Sequence, residues 1–286
     1  MNNHMSLRLV GANSSLELNS PTTSIYLQEE LEGLSTLPAI RETKGMNIGM
    51  DGGWTSAQFY EPRLVTIKGV IADKDVSVVE LRRRQLIQIL SEKKLRLEFQ
   101  TEAGNLYELD VVVAGLTMPI NKILTSSYFK ISLRADDPLI YDNTSSTGRE
   151  AILNRSTNAS SGFPINFPIN FQLGNYESRP TINNFGTSTV YPVITVTGEL
   201  TNPEIVNITT NEYFKINTTI SSGSVAVIDT QAHTLVIDGV TSYSDIADGS
   251  SWIHLQPGNN EFFLTSDENT DTGYATISYR VGYMGV

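Results

Sequence analysis

Three histidines, thirty-one carboxylates and two tryptophans are the side chains from which this 286-residue chain could build a reactive or binding site. His4, His233 and His254 stand far apart. None belongs to a His-x-x-x-His or His–Glu pairing, so no zinc site is expected. No Gly-x-Ser-x-Gly elbow surrounds any serine, so no strained turn presents a nucleophile. Asp267, Glu268, Asn269, Thr270 and Asp271 offer the oxygen atoms that calcium takes, but not at EF-hand spacing, and the cluster reads as a solvated hairpin loop. No motif selects two carboxylates for glycoside hydrolysis. The segment Gly45–Gly53 is rich in glycine but has no Lys-Ser/Thr pair and no βαβ frame. It reads as a mobile loop rather than a phosphate cradle. Trp252, Tyr243 and Tyr274 are the candidates for carbohydrate stacking; Trp252, beside Ile253, fits core packing better. Catalytic, cofactor-binding and metal-ligating residues are therefore expected to be none.

The bulk composition narrows the classes further. There is no cysteine, which excludes disulfide frameworks, thiolate metal sites and cysteine nucleophiles. The net charge is -11, the wrong sign for a dedicated nucleic-acid binder. That charge is uneven. Residues 1–135 balance 15 basic against 15 acidic side chains, while residues 136–286 carry 5 against 16. Two units with different surfaces are implied. No stretch reaches the ~18 apolar residues of a membrane span. The start lacks the pattern of a secretory signal, and synthesis in a cytoplasm is expected.

Short strands dominate the elements that must position these residues. Alternation with period 2 marks Ser6–Val10, Ser15–Leu18, Leu64–Val70, Leu95–Phe99, Glu108–Val113 and Tyr128–Leu133. One helix is predicted. Ser77 and Glu80 fit a capping box, with Ser77 as N-cap, and the helix ends near Ser91 or Glu92. Val78, Val79, Leu86, Ile89 and Leu90 share its apolar face, and Glu80 and Arg84 form an i,i+4 pair. Arg82 falls within the apolar stripe. Either its stem lies on the core with its head in water, or it makes a subunit contact with Arg83 and Arg84; these three are the candidate interface residues.

The polar runs 143–148 and 156–162 flank a domain boundary. Next comes a tandem repeat, Phe163-Pro164-Ile165-Asn166 and Phe167-Pro168-Ile169-Asn170, read as an edge strand or extended tether because each proline removes a ladder donor. Beyond residue 180 the strand candidates are Tyr191–Thr197, Glu204–Thr209, Tyr213–Thr219, Ser224–Ile228, His233–Ile237, Trp252–Leu255, Glu261–Leu264 and Ala275–Val281. Turns at Asp238-Gly239, Asp248-Gly249 and Pro257-Gly258 separate them, the pattern of a β-sandwich. The expected division is residues 1–141, a linker at 142–170, and a C-terminal sandwich at 171–286.

Several motifs occur in a telling order. Gly49-Met50-Asp51-Gly52-Gly53 precedes Tyr60-Glu61-Pro62-Arg63-Leu64-Val65-Thr66-Ile67-Lys68-Gly69, and the helix with Leu81-Arg82-Arg83-Arg84-Gln85-Leu86 follows. Phe129–Ala135 then runs into Asp136-Asp137-Pro138-Leu139-Ile140-Tyr141, and Phe163–Phe171 comes next. Trp252–Asn260 precedes Ala275-Thr276-Ile277-Ser278-Tyr279-Arg280. In this order the chain resembles the distal tail proteins of long-tailed phages that infect Gram-positive bacteria. The resemblance implies a mainly β protein: an N-terminal, ring-forming β-sandwich with one α-helix and a long hairpin, then a galectin-like or carbohydrate-module-like β-sandwich. The last strand is a candidate to pack back on the first domain. It implies a homohexameric ring at the virion tail tip, made in the host cytoplasm. Its partners would be the tail tube protein, the tail-associated tip protein, and in some members a receptor-binding protein or cell-wall saccharide. The alternative is a carbohydrate-binding module of a tail or cell-surface protein. A cell-wall hydrolase would need a catalytic motif that the residues do not supply.

Overall fold

The computed structural model describes residues 5–28, 31–120, 125–143, 148–155, 179–268 and 270–286. The Phe163–Phe171 repeat, the 156–162 run, His4 and Asn269 lie outside the described residues. The chain divides into two compact units, Met1–Ser146 with Tyr283–Val286, and Thr147–Gly282. Among the described residues no helix is long and apolar enough to cross a membrane.

The first unit holds β1 (Ser6–Val10), β2 (Ser15–Leu18), β3 (Ile25–Leu27), β4 (Ile40–Arg41), β5 (Lys44–Met46), β6 (Gly53–Thr55), β7 (Phe59–Tyr60), β8 (Arg63–Ala72), α1 (Val76–Leu90), β9 (Lys94–Gln100), β10 (Leu106–Thr117), β11 (Ser126–Ala135) and β12 (Ile140–Asp142). Its main sheet is antiparallel in the order β2-β1-β9-β10-β11-β8-β3, with β12 added on β10. The strands at the two ends of that path meet through a bridge between Ser20 and Ile25, so the sheet nearly closes on itself. The alternation seen in the sequence sets its register. Leu7 opposes Phe99 and Leu9 opposes Leu97, and all four are buried. Phe129, Ile131 and Leu133 complete the same inner face. Val79, Leu86, Ile89 and Leu90 of α1 close over it. Each such side chain contributes about 1.5–3 kcal/mol when fully buried.

The helix begins earlier than expected. Its N-cap is Asp75, not Ser77: the Asp75 carboxylate accepts the Ser77 amide at 2.8 Å. A carboxylate at that position satisfies an orphan amide as well as a serine hydroxyl does, which draws Ser77 into the first turn. The C-cap is Ser91, and Arg84 pairs with Glu80 at 2.6 Å.

The second unit holds β13 (Arg149–Asn154), β14 (Thr181–Asn184), β15 (Val193–Thr197), β16 (Leu200–Thr201), β17 (Glu204–Asn207), β18 (Glu212–Lys215), β19 (Thr219–Ile220), β20 (Val225–Asp229), β21 (Thr234–Ile237), β22 (Val240–Thr241), β23 (Gly258–Thr265) and β24 (Tyr274–Tyr279). A six-stranded sheet, β13-β24-β15-β20-β21-β22, and a four-stranded sheet, β14-β23-β17-β18, form the sandwich. Ile194, Val196, Ala226, Ile228, Leu235 and Ile277 are buried from the first, and Ile182, Ile205, Phe214, Phe262 and Leu264 from the second. The strand β13, paired with β24 along its length, lies in the stretch expected as linker. Conversely, Trp252–Leu255 is not a ladder strand; only Leu255 bridges, to Val190. A final short strand, β25 (Gly282–Tyr283), is joined to β12.

Candidate functional site

Residues 38–62, between β3 and β8, form a narrow arm. At its foot Ile40 opposes Tyr60 and Arg41 opposes Phe59, with the Glu61 amide bonded to the Ala39 carbonyl at 2.7 Å. Midway, the Ser56 amide donates to Thr43 O at 2.8 Å and the Thr43 amide to Ser56 Oγ at 2.9 Å. Farther out, β5 pairs with β6, Gly45 facing Trp54. The indole lies over the glycine, because a Cβ on Gly45 would come within 2.5 Å of it. A large ring thus shields backbone that the small residue leaves bare. The tip closes through an Asn47 amide bond to Gly52 O, with Gly49 and Gly52 at positive φ. Glu42 is held by Lys44 and Gln58, and these hydrogen bonds, Lys44 first, lower its pKa.

Gly45–Gly53, expected as a mobile loop, is a paired hairpin. Its side chains, however, have no core of their own. Ile48 is fully exposed, Met46 is 87% exposed and Met50 75%. Ile40, Trp54 and Phe59 are exposed as well. Single exposed apolar residues are ordinary, but six on one two-stranded arm make a contact surface. A two-stranded hairpin alone is marginally stable in water, so this arm gains most by covering its side chains on a partner. The available signal was the alternation Met46, Ile48, Met50, a pattern of burial in a segment that the glycines made look like a loop.

The residues singled out from sequence lie elsewhere. Arg82 donates to Thr22 O at 3.0 Å and to Gln85 Oε1 at 2.8 Å, so its head is held within its own unit. Arg84 is paired with Glu80, and Arg83 beside them is half-buried. Trp252 stacks on His233, with centroids 5.0 Å apart and planes at 12°, and packs against Phe214 at 5.1 Å. Tyr243 sits exposed in a 3-10 turn and Tyr274 begins β24. No ring contact joins the three among the described residues. His254, read as lacking a carboxylate partner, meets Glu212, distant in sequence, at 2.9 Å. The irregular segment before β23 meets the start of β18 there, and the His254 amide also donates to the Glu212 carboxylate at 3.1 Å, which no short motif can show. In the acidic loop Asp267 binds Asn202 and Lys215, and these contacts, Asn202 first, lower its pKa. The Asp271 carboxylate accepts the Thr201 amide at 2.7 Å. Both carboxylates are thus turned to holding the loop rather than left open to a ligand.

Comparison with known proteins bears on both units. Residues 185–283 match the family of the siphovirus-type tail component, C-terminal domain. Among solved structures, the SPP1 Dit (gp 19.1) protein, described as a paradigm of the hub adsorption apparatus in phages infecting Gram-positive bacteria, is 14% identical. The match covers 96% of this chain and 98% of that one, with a TM-score of 0.66. The phage P2 baseplate in its activated conformation with calcium also matches, at 10% identity over 96% of this chain and 97% of that one, with a TM-score of 0.47. No curated protein sequence matches. Residues 185–283 are thus similar to that family's C-terminal domain, and along nearly its whole length the chain has the fold of the SPP1 Dit protein.

Proposed function

We propose that this chain is the structural hub of a phage tail tip, six copies closing into a ring that joins the tail tube to the adhesion apparatus. The arm at residues 38–62 carries this reading. A closed ring of identical subunits needs a heterologous contact, one patch on each copy meeting a different patch on the next. A protruding hairpin with bare apolar side chains is suited to that role, since each fully covered side chain contributes about 1.5–3 kcal/mol to the contact. The nearly neutral first half of the sequence permits self-association, and the acidic second half gives the assembly a soluble face. The partners are the tail tube protein, the tail-associated tip protein and, where present, a receptor-binding protein. The role is one of assembly and requires no reaction. Mass in solution with single-particle images tests it: six-fold rings are expected, alone or on addition of the tail tube protein. A chain that stays monomeric at every concentration and with that partner overturns it.

A further inference from the structure

The largest fully buried side chain among the described residues is a cation. Arg63 opens β8 and is 1% exposed. All four of its hydrogen-bond acceptors are backbone carbonyls: Nε donates to Pro138 O at 2.8 Å, Nη1 to Gly33 O at 2.5 Å and Thr36 O at 2.7 Å, and Nη2 to Met284 O at 2.6 Å. Burial lowers its pKa. A charge removed from water is tolerated only when its donors are fully engaged, so the four bonds form one unit. Their chain positions matter. Gly33 and Thr36 stand just before the arm, and Arg63 itself stands just after it. One guanidinium therefore ties the two feet of the arm together. The close fit is visible at Gly33, at φ 95°, where a Cβ would lie 2.0 Å from Leu64 O.

Of the two distant acceptors, Pro138 O lies just before β12 and Met284 O lies just after β25. The residues beside Met284 are seated by two further contacts: the Val286 amide donates to Leu34 O at 3.2 Å, and Tyr283 meets Tyr107 edge-on at 5.6 Å. Losing the Met284 carbonyl would leave a buried cation short of one acceptor at the foot of the arm. Lysine cannot replace the planar fork, because a single ammonium cannot span four divergent carbonyls. We propose that Arg63 is a positioning residue that fixes the arm at its foot only while Tyr283–Val286 is docked, so that this segment controls how the arm is presented for assembly.

Hydrogen exchange on the full chain tests this, using Arg63→Lys and a deletion of Met284–Val286. The Glu61 amide reports the foot of the arm, Ser56 its middle, and the amides of β11 the sheet. Exchange at Glu61 is expected to accelerate at least about tenfold in both variants while β11 is unchanged, as for loss of one buried hydrogen bond. If the deletion also strips protection from β11, Arg63→Lys decides, and its Glu61 must accelerate against a protected β11. Unchanged exchange at Glu61, or a change only in step with β11, overturns the proposal. Assembly is the second readout and rests on the reading of the arm as the ring contact. A wild-type chain that never assembles refutes that reading, while Glu61 exchange still decides the clasp.

Discussion

The arm of the first unit and the sandwich of the second are both made of short antiparallel strands, yet they spend their side chains in opposite ways. In the sandwich β15, β20 and β24 send alternate residues inward, and Ile194, Val196, Ile228 and Ile277 are completely buried. In the arm β5 and β6 keep their backbone bonds, but Met46 and Trp54 face solvent, as do Ile48 and Met50 at the tip. Backbone pairing gives both regions their shape. Burial gives only the sandwich its stability, because a net hydrogen bond contributes about 1 kcal/mol while a buried aliphatic side chain contributes about 1.5–3. The arm is therefore shaped by its backbone pairing while its side chains stay exposed.

The largest effect that could break this contrast lies in the sandwich core. Phe214 is 1% exposed and packs on Trp252. Phe214→Ala should destabilise the protein by about 3–5 kcal/mol, from lost transfer energy and the cavity left behind. Urea unfolding followed by Trp252 fluorescence would measure it. A loss below about 1 kcal/mol would mean that the sandwich tolerates voids as a loose surface does.

A smaller effect concerns the polar seam of the same core. Asn260 is fully buried, accepts the Gln256 amide at 3.1 Å, and donates to Gln256 O at 2.8 Å and Gly258 O at 3.1 Å. Its carboxamide closes the turn that leads into β23. Asn260→Ala should cost about 1–3 kcal/mol, the penalty for stranding buried backbone groups. Asn260→Asp should not restore the loss, because a carboxylate cannot donate to the two carbonyls. Full rescue by aspartate in thermal melts at neutral pH would show that water already serves those groups.

How much of this could be read from the sequence follows the same division. The strands β1 and β2 match the alternation residue for residue, because one face of each meets a core. The helix was legible from its apolar face, but not its cap, since Asp75 and Ser77 are both competent and only the fold chooses. Trp252 has the pattern of a strand because Ile253 and Leu255 alternate around it; both are buried, yet among the described residues no partner strand runs alongside. The arm was the hardest region. Its alternation of Met46, Ile48 and Met50 has no counterpart to bury against among the described residues, so local pattern and local structure disagree. The sequence shows no role for Arg63, because its acceptors come from residues 33, 36, 138 and 284, which no local pattern connects.

The smallest expected effect on folding is the most discriminating. Ile48→Ser with Met50→Ser alters only the exposed tip, and should change the stability of the monomer by less than about 0.5 kcal/mol. Its effect should appear in assembly instead. If each tip covers these two side chains on a neighbour, removing them costs about 3–6 kcal/mol per contact, and in the six-membered ring proposed above six such contacts close together. The expected result is an unchanged thermal midpoint with rings absent from images at concentrations where the wild type forms them. A lowered midpoint with rings intact would reverse the comparison: it would place the arm's side chains in the service of their own subunit, and the ring contact on another surface.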